Sequence, residues 1–168
     1  MRSAIRYFAF VFLFVAFASF QSFAKGTTTK ITIESPRFAK PIEITDPAIT
    51  QNFQVFAGPG TSAGPGTSAK ETRSLIMDWS AAVTPPTGLE RYRVSFYVDE
   101  YKHPYVVFYA FDPANAQGYV YLPGKESEFY WTNLSMIWRH VEGNWFRALT
   151  EWEDVARPLV DKHRQSSQ

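Results

Sequence analysis

The chain has no cysteine. That excludes disulfides, thiolate nucleophiles, zinc ribbons and iron–sulfur ligation together. Histidine is scarce: His103, His140 and His163 are the only three, and no two stand at metal-ligand spacing such as HxH or HExxH. Charge of one sign is lacking too, with 17 Lys+Arg against 16 Asp+Glu. Such a balance gives no electrostatic footprint for nucleic acid and no attraction to anionic membranes. After residue 24 no apolar run is long enough to span a bilayer, which needs roughly 20 residues.

What is present begins with the N-terminus. Arg2 and Arg6 precede an apolar run from Tyr7 to Ala18, and Ser22 and Ala24 are small residues at −3 and −1 of a cleavage point. A basic, an apolar and a small-residue region in that order make a secretory signal peptide. Residues 1–24 are therefore expected to be removed after Ala24, leaving a periplasmic or secreted protein with no stable membrane insertion. An uncleaved anchor is the alternative. The apolar core is short for one and is diluted by Ser19, Gln21 and Ser22. Losing Arg2 and Arg6 leaves 15 basic residues against 16 acidic ones.

The rest of the chain is rich in strand signals. Residues 25–29 read as a flexible leader and 30–160 as a single domain. Lys30–Glu34 and Pro41–Thr45 alternate apolar with polar and suit a hairpin. Asp46-Pro47 is a helix start, with a short helix over Ala48–Phe53. Ser74–Trp79 suggests a strand. Arg91–Val98, Tyr105–Phe111 and Gly118–Leu122 form the strongest β pattern, an antiparallel meander. Met136–Val141 and Trp145–Leu149 are read as two further strands around Glu142-Gly143-Asn144. Thr150 and Glu153 match a capping box ahead of a second short helix, which Pro158 should end or kink. Residues 161–168 read as a polar tail. The expected fold class is α+β, mainly antiparallel β, with two short helices.

One repeat interrupts this order. Ala57-Gly58-Pro59-Gly60-Thr61-Ser62 recurs unchanged as Ala63–Ser68. Two copies of six residues are too short for a repeat array. Gly and Pro without large apolar groups suit a flexible loop over 57–70. No Lys-Ser/Thr pair follows to make a phosphate cradle.

Candidate chemistry is sparse. Trp131, Trp138, Trp145 and Trp152 fall seven apart. Glu142-Gly143-Asn144 breaks any single helix that would align them, and in strands an odd spacing alternates faces. Core packing is the plain expectation for such tryptophans. Exposed on a β surface, the same rings would stack on sugars, so these four are the candidate binding residues. Glu126/Glu128 and Glu151/Glu153 serve acid–base chemistry only inside a cleft. His103 lies in a loop beside Asp99 and Glu100, while Ser95 and Ser135 lack the sharp-turn context of a nucleophile. Asp112–Gly118 lacks the closing Glu of a calcium loop and reads as a turn. Asn133-Leu134-Ser135 is a glycosylation sequon, relevant in a eukaryotic host.

With these segments in view, the chain resembles a family of small exported bacterial proteins with no assigned activity. The shared pattern is Lys30-Ile31-Thr32-Ile33, Pro41–Pro47, Tyr92-x-Val94-Ser95-Phe96-Tyr97, Tyr105-Val106-Val107, Gly118–Gly124 and Glu142-Gly143-x-Trp145-Phe146-x-Ala148 with Trp152. These are turns, caps and core aromatics. The resemblance implies a shared fold and carries no chemistry, and the Gly-Pro-Gly duplication departs from it.

The expectation is thus an exported binding or interaction module of the bacterial envelope, without enzymatic activity. No cofactor and no metal are expected, and the partner would be an envelope protein or a glycan rather than nucleic acid. Two alternatives remain: an extracytoplasmic hydrolase using dispersed Asp/Glu or His103, and a structural or secretion accessory protein.

Overall fold

A computed structural model describes residues 26–60 and 73–166. The signal segment and most of the duplicated Gly-Pro stretch lie outside the described residues. The described chain is an α+β fold built on one eight-stranded antiparallel sheet. Its strands are β1 (Thr28–Glu34), β2 (Ile42–Ile44), β3 (Arg73–Ser74), β4 (Met77–Val83), β5 (Arg91–Val98), β6 (Tyr105–Phe111), β7 (Gly118–Tyr121) and β8 (Trp145–Ala148). Across the sheet they run β2-β1-β5-β6-β7-β8-β4-β3. The expected hairpin is β1 with β2, in register Ile31↔Ile44, and the expected meander is β5–β6–β7.

Three helices are described, one more than expected: α1 (Pro47–Thr50), α2 (Tyr130–Met136) and α3 (Thr150–Ser166). Asp46 caps α1 by accepting from the Ala48 N–H at 2.9 Å. α3 runs 17 residues and is not short. Pro158 neither ends it nor bounds the fold at 160, and residues 161–166 of the expected polar tail continue the helix. The reason is packing. Trp152, Ala156 and Val160 recur at i, i+4, i+8 and are fully buried, while Pro158 faces solvent. Burial of that stripe outweighs the roughly 3 kcal/mol that an interior proline costs a helix.

Other boundaries shift for similar reasons. The leader is shorter than expected, because Thr28 is already buried in β1 and its N–H donates to Gln54 Oε1 at 3.0 Å. Ser74–Trp79 is split by a tight turn at Leu75-Ile76, with both side chains in the core. Met136–Val141 is not a strand. Tyr130, Asn133 and Ile137 are buried at i, i+3, i+7, a helical period, so α2 occupies the segment's start. β8 therefore pairs with β7 and β4 instead.

One sheet face carries the core. Ile31 and Ile33, Tyr92, Val94 and Phe96, Val107 and Tyr109, Val120 and Phe146 all point to it from successive strands. Trp152 of α3 plugs the centre, with ring centroids 5.3 Å from Phe53, 5.9 Å from Tyr109 and 6.4 Å from Phe96. The strand period of two sends the alternate residues to the opposite, outer face.

α2 is fixed alongside the start of β6 by one residue. The Phe108↔Tyr121 register projects Val106 onto Pro123, which has no N–H to give. The Asn133 side chain supplies the missing ladder partner. Its Nδ2 donates to the Val106 carbonyl at 2.7 Å and its Oδ1 accepts from the Val106 N–H at 2.8 Å.

Candidate functional site

The outer face of the meander holds a groove of about 720 Å³. Its floor follows from register alone. Glu34↔Arg93, Arg93↔Phe108, Phe108↔Tyr121 and Tyr121↔Trp145 are consecutive cross-strand partners, so five side chains from five strands form one row. Four of them, Glu34 to Tyr121, line the groove. The rings stand in close succession: Phe108 to Tyr121 is 6.4 Å between centroids, and Tyr121 to Trp145 is 5.1 Å. Phe129, from the connection before α2, adds a fourth ring 5.9 Å from Phe108.

Polar groups border these rings. Arg93 is ion-paired with Glu34 and lies 5.7 Å from the Phe129 centroid. Arg91, two residues earlier on the same face, reaches over the Trp145 ring at 5.1 Å. Thr32 Oγ1 donates to the other oxygen of Glu34 at 3.3 Å. Glu126 and Glu128 complete the wall opposite, both exposed. A second hollow of about 250 Å³ lies between the Pro85–Leu89 turn and Trp145, and Arg91 lines both.

The four candidate tryptophans part company. Trp152 is fully buried in the core. Trp145 is half-buried at the end of the aromatic row. Trp131 on α2 is 73% exposed, and Trp138 is 56% exposed, packed against His140 with ring centroids 4.0 Å apart. Their spacing of seven brings no two of them together in the groove. Phe108, Tyr121, Phe129, Arg91 and Arg93 were not singled out by sequence. For Arg91, Arg93, Phe108 and Tyr121 the signal was the position alternating with the core residues of the meander; Phe129, in a connection, had no such signal.

The remaining candidates fall elsewhere. His103 is exposed in the β5–β6 connection and does not line the groove. Glu153 does not reach back as a capping-box residue; the Trp152 and Glu153 N–H groups both donate to the Leu149 carbonyl. Its carboxylate turns inward, accepting from Tyr109 Oη at 2.9 Å and pairing with Arg157. Burial pushes that carboxyl above the usual carboxylate range, against the opposing pull of Arg157 and Tyr109. Ser95 is buried in β5, and the Ser135 hydroxyl donates to the Thr132 carbonyl. Among the described residues no group of three or more His, Asp or Glu could hold a metal ion. No described helix is long and apolar enough to cross a membrane.

A second buried polar centre lies at Arg139, which is 1% exposed. Its Nε donates to Tyr105 Oη at 3.1 Å and Nη1 to the carbonyls of Ala57 at 2.9 Å and Pro59 at 2.8 Å, while Nη2 meets the Val55 carbonyl. The guanidinium also lies 4.8 Å from the Trp79 centroid. All these donors are engaged by the chain itself, so the centre is an anchor for residues 55–59 and offers nothing to a ligand.

No protein-family model, curated protein or solved structure matches the chain at a significant level.

Proposed function

We propose that this is an exported binding module of the bacterial cell envelope, without enzymatic activity, whose ligand or partner seats in the outer-face groove. The observation that carries the reading is the cross-strand row of Arg93, Phe108, Tyr121 and Trp145. Aromatic side chains on an outer sheet face, bordered by a few fixed polar groups, are the makings of a recognition site. The floor is rigid because each side chain stands on a paired strand. Export rests on the N-terminal signal pattern, and membership of a family of small exported bacterial proteins rests on the motifs quoted above.

The test is amide chemical-shift mapping of the processed protein against envelope glycans, peptides and an envelope extract. Shifts centred on Arg91, Phe108 and Tyr121 are expected, and their absence with every probe overturns the reading. The processed N-terminus, read by mass spectrometry, is expected at Lys25; a start at Met1 removes the export argument.

A hydrolase remains the second reading, because Glu34, Glu126 and Glu128 line one groove. Against it, Glu34 is already engaged by Arg93 and Thr32, and the other two are exposed to water. A carboxylic acid tuned for proton transfer is usually desolvated. Release of product from a bound glycan, abolished in Glu128→Gln, would favour this reading over the first.

A further inference from the structure

We infer that the groove takes a neutral oligosaccharide, with pyranose rings lying on Tyr121 and Phe108 and hydroxyls meeting Arg91 and the carboxylates. The inference rests on the binding-module reading and narrows it to one ligand class.

The charges decide first. Two guanidiniums face three carboxylates, and Arg93 and Glu34 neutralise each other by contact. The lining has no cationic excess to hold phosphate or an acidic polysaccharide, which need uncompensated Arg or Lys. A polycation would meet Arg91 and Arg93. A purely apolar ligand would strip water from five charged groups and return no hydrogen bonds. A hydroxyl both donates and accepts, so a polyol satisfies guanidinium and carboxylate alike.

Geometry decides next. An extended peptide gains its affinity by adding a strand to a sheet edge. The groove lies on the face of β5, β6 and β7, which all have partners on both sides. What the face offers is ring surface. Phe129, Phe108, Tyr121 and Trp145 follow one another at 5.9, 6.4 and 5.1 Å. The C–H face of a sugar ring is apolar and flat enough to cover such rings while its equatorial hydroxyls point to the rim. Arg91 borders both this groove and the hollow beyond Trp145, so the surface continues past one ring's length. That continuity favours an oligomer over a monosaccharide.

The experiment is calorimetric titration with amide shift mapping of the processed protein. The neutral probes are the hexamers of cellulose, chitin, xylan and maltose; the charged probes are a polygalacturonate hexamer and a heparin hexamer; acidic and basic peptides complete the set. At least one neutral hexamer should bind and shift groove amides, with its monomer at least about tenfold weaker. Tyr121→Ala should weaken it about tenfold and Trp131→Ala should leave it unchanged. Arg91→Ala, at an exposed position, supplies a folded variant with the same expected direction should Tyr121→Ala fail to fold. If only charged hexamers or peptides move the groove amides, the sugar assignment falls and the binding module stands. If no probe moves them, both fall. Binding unaffected by Tyr121→Ala and Arg91→Ala also overturns the assignment.

Discussion

The Tyr109 hydroxyl donates to the Glu153 carboxylate at 2.9 Å, joining the middle strand of the meander to the first turn of α3 inside the core. Gly118 on β7 completes this junction by being absent of side chain. A Cβ there would collide with the Glu153 carboxylate and come within 2.8 Å of the Tyr109 ring. Gly118→Ala should destabilise the fold by about 2 kcal/mol, the scale of overpacking in a well-filled core. Urea unfolding monitored by circular dichroism reads this directly, and an unchanged midpoint refutes the collision.

Arg139 predicts a local opening. Arg139→Met keeps much of the volume but leaves the carbonyls of Val55, Ala57 and Pro59 without their donor. Each buried unsatisfied group costs about 1–3 kcal/mol, and water reaching the strap offsets part of that, so a loss of roughly 3 kcal/mol is expected. Hydrogen exchange should rise selectively over residues 53–60. Arg139→Lys should resemble Arg139→Met, since an ammonium cannot present the fork that spans three carbonyls.

Asn133 predicts two outcomes. Asn133→Leu removes both bonds to Val106 and should cost about 2 kcal/mol in thermal or urea unfolding. The sequon is also closed by the fold, because Asn133 is 1% exposed with both amide atoms engaged. Produced in a eukaryotic secretory pathway, the folded protein should carry no glycan at Asn133 by mass spectrometry. A folded, glycosylated form contradicts the Val106 pairing.

The tyrosines set an alkaline limit. Burial raises Tyr92, Tyr105 and Tyr109 above the ordinary tyrosine value of 10.0; Glu90 adds to the rise at Tyr92 and Glu153 to that at Tyr109, while Arg139 opposes it at Tyr105. In the folded state the phenols keep their protons where the unfolded chain has lost them. The stability they contribute is complete below pH 10 and is lost as pH rises above it. All three act in the same direction, so stability should fall as pH rises through the alkaline range. Tyr92→Phe should make that fall shallower, read from urea midpoints across the alkaline range.

Much of the sheet was legible because its alternation is clean. Tyr92, Val94, Phe96 and Val98 against Arg91, Arg93, Ser95 and Tyr97 state a half-buried strand without ambiguity. α2 was not, because its buried positions include Asn133, which reads as polar until its Val106 contacts are seen. The length of α3 is masked by Pro158, a breaker signal that the buried Trp152, Ala156, Val160 stripe overrides. The groove was hidden for a different reason. Which residues form one row depends on strand register, and that is set by turns whose geometry the sequence leaves open. Trp145 alone among the four tryptophans joined the row, because it alone stands on the outer face of a central strand.

The sheet ends in very little strand. Its two outermost members are β2, three residues long with Pro41 immediately before it, and β3, two residues long. Among the described residues β2 and β3 are therefore short templates, while β4 runs on past its register with β3 from Trp79 to Val83. A second copy approaching along β2 would find only three residues to pair with, so the β4 side is where edge-to-edge stitching has the longer stretch to work on.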